Sequence, residues 1–164
     1  GNSEVFNDSE GVLFADIAAL SNDGTSRHFS INDGSAANKV EIYYDSTSNE
    51  INGHINVNGV SSAIFSQVIT SVSTFNKVLV KYKLNNFSFF VNGFKLGTDT
   101  SGVVFPNGTL NNLSFDKGNG TLDFYGKTKE IGYYDAVLTD SELEYLTSYR
   151  SLIELVKELN LNTL

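Results

Sequence analysis

The chain has 164 residues, 40% of them hydrophobic, a formal net charge of −8 and no cysteine. This length fits one domain with a single core. The negative charge, without any run of Lys or Arg, argues against a nucleic-acid partner, because an acidic surface repels phosphates. Disulfides and thiolate metal sites are excluded. No apolar stretch approaches the roughly 18 residues of a membrane span, and we expect neither membrane insertion nor a signal peptide.

The composition favours an all-β fold. Glycine occurs 14 times and proline once, Met and Trp are absent, and the aromatic residues are 12 Phe and 8 Tyr. Phe and Tyr suit the half-buried, pleated surface of strands. Stability must then come from packing and from the hydrogen-bond ladders of the sheets.

Alternating apolar and polar residues predict ten short strands along the chain. The first strand is apolar on both faces, which predicts a central position in its sheet. Seven Asn-Gly or Asp-Gly dipeptides, most of them between apolar runs, supply turns. The predicted strands cover residues 11–20, 26–32, 39–45, 50–58, 59–68, 77–84, 87–91, 94–96, 110–115 and 124–134, with loops over 98–108 and 116–120.

Residues 77–97 contain the clearest pattern. Val78, Val80 and Tyr82 alternate with lysines, and Asn92-Gly93 suits a tight hairpin turn. Three consecutive strands are therefore predicted to form an antiparallel meander. Its buried face needs a second apolar layer, so the rest of the chain is predicted to supply a facing sheet.

The end of the chain differs from the rest. Alternation slips between Thr128 and Ile131, which predicts a β-bulge in the last strand. Thr139 and Glu142 fit a capping box, and apolar residues then recur at helical spacing, which predicts a C-terminal helix that breaks near Ser148. The apolar stripe of this helix can pack on the sandwich, or residues 149–159 can pair with another subunit.

Four segments resemble the concanavalin A-like lectin/glucanase superfamily, in the laminin G-like jelly-roll form found in bacteriophage tail and other virion appendage proteins. They are SEGVLFADIAALSNDGTSR at 9–27, FNKVLVKYKLNNFSFFVNGFKLGTDTSG at 75–102, LSFDKGNG at 113–120 and FYGKTKEIGYYDAVLTDSELEYLT at 124–147. The resemblance implies an antiparallel jelly-roll β-sandwich with a C-terminal helix. We therefore predict a jelly-roll domain over residues 1–148 and a helical extension over residues 149–164.

The resemblance also implies a function. It is that of a non-catalytic, lectin-like module on a virion or in another extracellular setting. Such a module binds host-surface carbohydrate beside other virion subunits and can form a homo-oligomer. The alternative from another class is a structural or decoration domain that acts through protein–protein contacts.

Exposed tyrosines and loop asparagines are the candidate sugar-binding groups. Tyr43 and Tyr44 are adjacent, as are Tyr133 and Tyr134, so in each pair one ring is predicted to face the core and the other to face outward. An outward ring beside a polar loop residue such as Asn119 can stack on a sugar.

A loop supplies the candidate metal ligands. Asp116, Asn119 and Asp123 offer the oxygen atoms that calcium prefers, with Asp23 and Asp33 as further candidates. The other reading is that these residues accept hydrogen bonds from their own turns. Calcium is therefore the one cofactor that the sequence suggests.

Catalysis is not predicted. A glycoside hydrolase, the enzyme class this superfamily could host, needs two carboxyl groups about 5–10 Å apart. Glu41 and Asp45 share a strand face but lie about 13 Å apart at the usual rise per residue. The two histidines, His28 and His54, are each predicted to be ordinary strand residues.

Overall fold

The computed structural model describes residues 4–149, and within this range the chain forms ten strands and one helix. The strands alternate with turns over most of the chain, as the sequence pattern predicts. Their bounds are β1 Glu10–Ala19, β2 Arg27–Asn32, β3 Lys39–Tyr44, β4 Glu50–Val57, β5 Val60–Val68, β6 Asn76–Lys83, β7 Phe87–Val91, β8 Phe94–Asp99, β9 Asn112–Ser114 and β10 Gly126–Tyr134, followed by α1 Asp140–Thr147.

The strands form two five-stranded antiparallel sheets that face each other. Sheet A has the order β10-β1-β6-β7-β8, and sheet B has the order β5-β4-β3-β2-β9. Strand β1 lies between β10 and β6, and its residues from Gly11 to Ala19 are buried, which confirms the central position predicted for it. The predicted meander of β6, β7 and β8 and its facing sheet are also confirmed.

The core lies between the two sheets because each strand turns its apolar side chains inward. One cluster fills this interior and draws on strands of both sheets; it includes Leu13, Ile17, Phe29, Ile42, Val80 and Phe89. A second, smaller cluster lies on the outer face of sheet A, where Leu143 of α1 packs on Phe14 and Leu79. The helix thus covers the outer face of sheet A and leaves the outer face of sheet B to loops.

Helix α1 begins where the sequence predicts. Thr139 caps it: the hydroxyl of Thr139 accepts a hydrogen bond from the Glu142 N–H, and the Glu142 carboxylate accepts one from the Thr139 N–H. The helix ends at Thr147, with Ser148 as its C-cap. This α1 packs on the sandwich, but residues 150–164 lie outside the described residues, so the predicted helical extension stays a prediction. No helix between residues 4 and 149 is long and apolar enough to span a membrane.

Two strand irregularities shape the edges of sheet A. In β10, Glu130 pairs with Asp16 and Thr128 pairs with Ile17, so Lys129 is the extra residue of the predicted bulge. Strand β8 is longer than predicted, because a second irregularity beside Leu96 lets pairing continue to Asp99. The loop expected from residue 98 therefore begins after residue 99.

Gly53 in β4 has no room for a side chain, because core side chains of sheet A lie against it. A Cβ atom there would lie 2.6 Å from Val80 Cγ2 and 2.9 Å from the Phe89 ring. We predict that Gly53→Ala lowers the free energy of unfolding by about 1–3 kcal/mol, because these core side chains must shift. Urea unfolding measures the change.

Gly132→Ala in β10 is the matched control for Gly53→Ala. Its Cβ would meet Phe14 at 3.4 Å, an ordinary contact. We expect a change within about 0.5 kcal/mol. Equal losses in the two variants would contradict the packing argument.

Candidate functional site

A cleft of about 400 Å³ lies on the outer face of sheet B. Strands β2, β3 and β4 form its floor, and the loops before β3 and after β9 contribute its sides through Ala36, Lys117 and Leu122. The loop after β9 is attached to β2: the His28 N–H donates to the Leu122 carbonyl at 3.0 Å, and the Ser30 hydroxyl donates to the Asp116 carbonyl at 3.0 Å. The side formed by this loop is therefore tied to the sheet.

Strand alternation determines which side chains reach the floor. In β3, Val40, Ile42 and Tyr44 point into the core, so Lys39, Glu41 and Tyr43 point outward. The register then places Tyr43 opposite His28 of β2, and Glu41 opposite His54 of β4. Residues far apart in the sequence thus meet on one face.

Glu41 lies at the centre of a buried polar cluster, which we define as Glu41, Lys39, His28 and His54. Its Oε1 lies 2.6 Å from Lys39 Nζ and 3.0 Å from His54 Nδ1, and its Oε2 lies 2.9 Å from His28 Nδ1. Only 2% of the Glu41 side chain is exposed. Three donors from three strands therefore compensate one buried carboxylate.

The electrostatics of the cluster favour an ionised Glu41. Burial alone would raise the pKa of Glu41, but the hydrogen bonds from His28 and His54 and the charge of Lys39 lower that pKa far below its ordinary value. Burial also lowers the pKa of Lys39, and the Glu41 carboxylate opposes this shift. A carboxylate held in this state accepts hydrogen bonds and cannot donate one.

Tyr43 forms an aromatic wall beside the cluster. Its ring stacks on the His28 imidazole, with 4.5 Å between the ring centroids and 3° between the ring planes. Burial, followed by the negative charge of Glu41, raises the pKa of Tyr43 to about 12. The Tyr43 hydroxyl thus stays protonated at neutral pH and can donate a hydrogen bond.

Lys117 adds a cation to the side of the cleft. Its ammonium group forms no ion pair with the acids in residues 4–149, whereas Lys39 is engaged by Glu41. Asp45 also lines the cleft, and its carboxylate accepts a hydrogen bond from the Thr47 N–H. The cleft therefore combines positive, negative and aromatic groups.

The four predicted tyrosines lie in three different places. Tyr43 lines the cleft, whereas Tyr44 is 2% exposed and belongs to the core, so that pair divides inward and outward as predicted. Tyr133 packs against the core, and its hydroxyl lies 3.1 Å from that of Tyr82. Tyr134 packs against the cluster beneath α1. Tyr133 thus contacts the core between the sheets and Tyr134 contacts the cluster on the outer face of sheet A, and we place neither in the candidate site.

In the predicted calcium loop, one side-chain oxygen atom of each candidate ligand accepts a hydrogen bond from a nearby residue. One Asp116 oxygen accepts the N–H groups of Gly118 and Gly120, Asn119 accepts the Thr121 hydroxyl, and Asp123 accepts the Tyr125 hydroxyl. Over residues 4–149, no three His, Asp or Glu side chains are grouped so that they could hold a metal. Calcium binding stays a prediction.

Sequence reasoning missed the convergence on Glu41. The sequence analysis placed His28, Glu41 and His54 on predicted strands and treated each one separately. What was missing was the register, which depends on the loops joining β2 to β3 and β3 to β4. A register that places Glu41 opposite His54 and diagonally beside His28 would have been the signal.

Comparison with known proteins identifies the fold. No protein-family model matches the sequence, and no curated protein sequence matches it. A leech intramolecular trans-sialidase matches 90% of this chain with a TM-score of 0.70 and 20% identity, and this chain spans 24% of that enzyme. The CBM40 domain of the Ruminococcus gnavus IT-sialidase, solved with α2,3-sialyllactose, matches 89% of this chain and 86% of its own, with a TM-score of 0.70 and 18% identity. Domains LG4–5 of the mouse laminin α1 chain match 81% of this chain and 37% of theirs, with a TM-score of 0.51 and 11% identity.

These likenesses establish the fold class. The domain is an antiparallel jelly-roll β-sandwich of the concanavalin A-like and laminin G-like type, as the sequence predicted. At these identities the likeness concerns the fold, and the ligand must be argued from the cleft itself.

Glu41→Gln tests the buried cluster. We predict that it lowers the free energy of unfolding at neutral pH by about 3–5 kcal/mol, because Lys39 then remains buried without its anion. Because the folded pKa of Glu41 lies below its ordinary value of 4.5, the stability it contributes is present above pH 4.5 and is lost as the pH falls below that value. Urea unfolding at several pH values should therefore show a weaker acid dependence in Glu41→Gln.

Glu50→Gln on β4 is the control for Glu41→Gln. Glu50 is half-buried and forms no ion pair with residues 4–149. A change within about 0.5 kcal/mol is expected. A similarly small loss in Glu41→Gln would contradict the role assigned to the cluster.

Tyrosine ionisation gives a second test of burial. Burial raises the pKa of Tyr43 to about 12, and it raises the pKa of Tyr44 and Tyr82 further above their ordinary value of 10. The stability linked to these groups is present below pH 10 and is lost as the pH rises through the folded values. In a spectrophotometric titration, part of the tyrosine absorbance change should appear only in strong alkali, whereas the urea-unfolded chain should titrate in one step near pH 10. A single step in the folded protein would contradict these shifts.

Proposed function

We propose that the domain is a non-catalytic glycan-binding module whose ligand lies in the cleft on the outer face of sheet B. The observation that carries the proposal is the cleft itself, with its ordered polar floor and aromatic wall. Its volume of about 400 Å³ lies within the range of small-ligand pockets, roughly 300–1,000 Å³. Strands supply its floor, so the binding groups are held in place before a ligand arrives.

The chemistry of the cleft suits a sugar. Sugar hydroxyls both donate and accept hydrogen bonds, and the cleft offers His28, Asn56 and the Tyr43 hydroxyl as partners. The exposed part of the Tyr43 ring can pack against the apolar face of a pyranose. Lys117 supplies a positive charge for an acidic substituent.

The fold comparison supports this choice and suggests the first ligand to test. A carbohydrate-binding module of this fold was solved with α2,3-sialyllactose, a glycan that carries a carboxylate. The ammonium of Lys117, which forms no ion pair with the acids of residues 4–149, is a suitable partner for such a carboxylate. Sialylated and other acidic glycans are therefore the first candidates.

The state of Glu41 argues for binding rather than hydrolysis. Both Glu41 and Asp45 line the cleft, so the carboxylate pair considered from the sequence does face one space. A glycosidase needs one carboxylic acid with a raised pKa to protonate the leaving group. Glu41 has the opposite shift, and all its donors are protein groups.

The sequence analysis also predicts a biological setting and a metal ion for this domain. A place on a virion, contacts with other virion subunits and a calcium ion in the loop 116–123 stay predictions.

The structural or decoration role is the second candidate function, and one observation favours it. Three apolar side chains on the edge strands β8 and β5 are exposed: Phe94 by 68%, Val60 by 69% and Val68 by 59%. Apolar side chains so exposed can contact another protein.

A glycan array tests the proposed function. The array should combine sialylated glycans with bacterial surface glycans, and it should be probed with and without calcium. We expect binding to a restricted set of glycans. Loss of binding in chelator would support the calcium prediction, and no binding in either condition would leave the structural role as the better account.

Tyr43→Ala locates the binding site once a glycan is found. We expect affinity to fall about 5- to 10-fold, because the sugar loses its aromatic partner. Tyr145→Ala is the matched control, since Tyr145 is 68% exposed on α1, which covers the other sheet. Calorimetric titration measures both affinities, and equal losses would place the glycan outside the cleft.

A further inference from the structure

One nitrogen in the cleft has no partner. The His28 side chain is 6% exposed and lines the cleft. Its Nδ1 atom is bound to Glu41, but its Nε2 atom forms no hydrogen bond with residues 4–149. The buried side-chain atoms without a partner in residues 4–149 belong to other residues, so His28 Nε2 keeps contact with solvent. Because the His28 ring lines the cleft, this open nitrogen is available to a ligand there.

The proton positions on His28 follow from its neighbours. The Glu41 carboxylate can only accept a hydrogen bond, so the His28 Nδ1 atom at 2.9 Å must carry a proton. In the neutral imidazole the other nitrogen is then an acceptor. For a neutral His28 ring, the structure thus assigns the Nδ1–H tautomer and leaves Nε2 as a lone-pair acceptor on the side of the ring away from Glu41.

His54 provides an internal comparison. Its Nδ1 atom lies 3.0 Å from Glu41, so the same reasoning places the proton on Nδ1. Its Nε2 atom, however, lies 2.8 Å from the Ser61 hydroxyl, which can donate to it. One carboxylate orients two histidines in the same way, and only His28 keeps an acceptor for a ligand.

We propose that His28 Nε2 accepts a hydrogen bond from a sugar hydroxyl, and that Glu41 is the positioning residue that fixes the His28 tautomer for this contact. The ligand half of this inference rests on the proposed function, whereas the tautomer half does not. The His28 ring stacks on the Tyr43 ring with 4.5 Å between the centroids, and this contact fixes the plane of the imidazole. The lone pair of Nε2 therefore points in one direction.

This arrangement predicts a division of roles within the cleft. A hydroxyl can donate to Nε2, but a carboxylate cannot, because two acceptors would then face each other. An acidic sugar would therefore place a hydroxyl on the floor against His28 and its carboxylate at the side near Lys117. A deoxy sugar that lacks this hydroxyl leaves Nε2 buried without a partner, which weakens binding.

The tautomer can be measured in the ligand-free domain by long-range ¹H–¹⁵N NMR at neutral pH. We expect His28 and His54 both to show a protonated Nδ1 and an unprotonated Nε2. In Glu41→Gln, verified as folded by its amide spectrum, the His28 tautomers should become mixed. A protonated His28 Nε2 in the wild-type domain would overturn the assignment whatever the domain binds.

The ligand contact is tested by adding 3′-sialyllactose or lactose to the same sample. We expect the His28 Nε2 resonance to move upfield, as for a nitrogen that gains a hydrogen bond, while the His54 Nε2 resonance stays in place. If either glycan shifts amide signals around the cleft but not His28 Nε2, the inference fails and the proposed function stands. If neither glycan shifts any signal, the hydroxyl contact fails together with this choice of ligand, while the tautomer result stands on its own.

His28→Phe and His54→Phe separate recognition from structure. Both variants remove one donor to Glu41, but only His28→Phe removes the free acceptor. We expect the glycan that binds to lose about 10-fold in affinity in His28→Phe and clearly less in His54→Phe. Equal losses in two folded variants would mean that His28 acts only through the cluster, which would overturn the proposed contact.

Discussion

The ion pair and hydrogen bonds around Glu41 are the constraint on which the cleft depends. A carboxylate that is 2% exposed must be compensated by nearby donors, and these come from β2, β3 and β4 at distances of 2.6–3.0 Å. A slip of β3 by one residue would turn Glu41 into the apolar core and leave two histidines without their acceptor. The cluster therefore couples the register of three strands to the geometry of the cleft floor.

The two outer faces of the sandwich are used differently. The outer face of sheet A is largely apolar near α1, and Leu143 packs on Phe14 and Leu79 there. The outer face of sheet B instead has polar side chains, covered in part by the loop after β9. That loop is held to β2 through the Leu122 and Asp116 carbonyls, so it forms a fixed side of the cleft. Because the covering is asymmetric, the cleft on sheet B stays accessible.

Local pattern was sufficient for most of the fold, and it was insufficient for the site. Alternation, Asn-Gly turns and the Thr139 capping box are local signals, so the strands, the bulge at Lys129 and the start of α1 could be predicted. The meeting of His28, Glu41 and His54 depends on the pairing of three strands, which no single segment encodes. The same limit explains Tyr133 and Tyr134: alternation separates their faces, but it does not reveal that α1 covers one of those faces.

The polar floor of the cleft is better explained by a ligand than by stability. Replacing a buried ion pair with well-packed apolar residues is often neutral or stabilising, so folding alone does not require Lys39 and Glu41 at buried positions of an outer sheet face. Apolar side chains under a covering loop would bury this face without desolvating charges, much as Leu143 does on sheet A. Charges kept at such a position instead orient neighbouring groups. Here the oriented group is His28, whose ring lines the cleft and whose remaining nitrogen has no hydrogen-bond partner in residues 4–149.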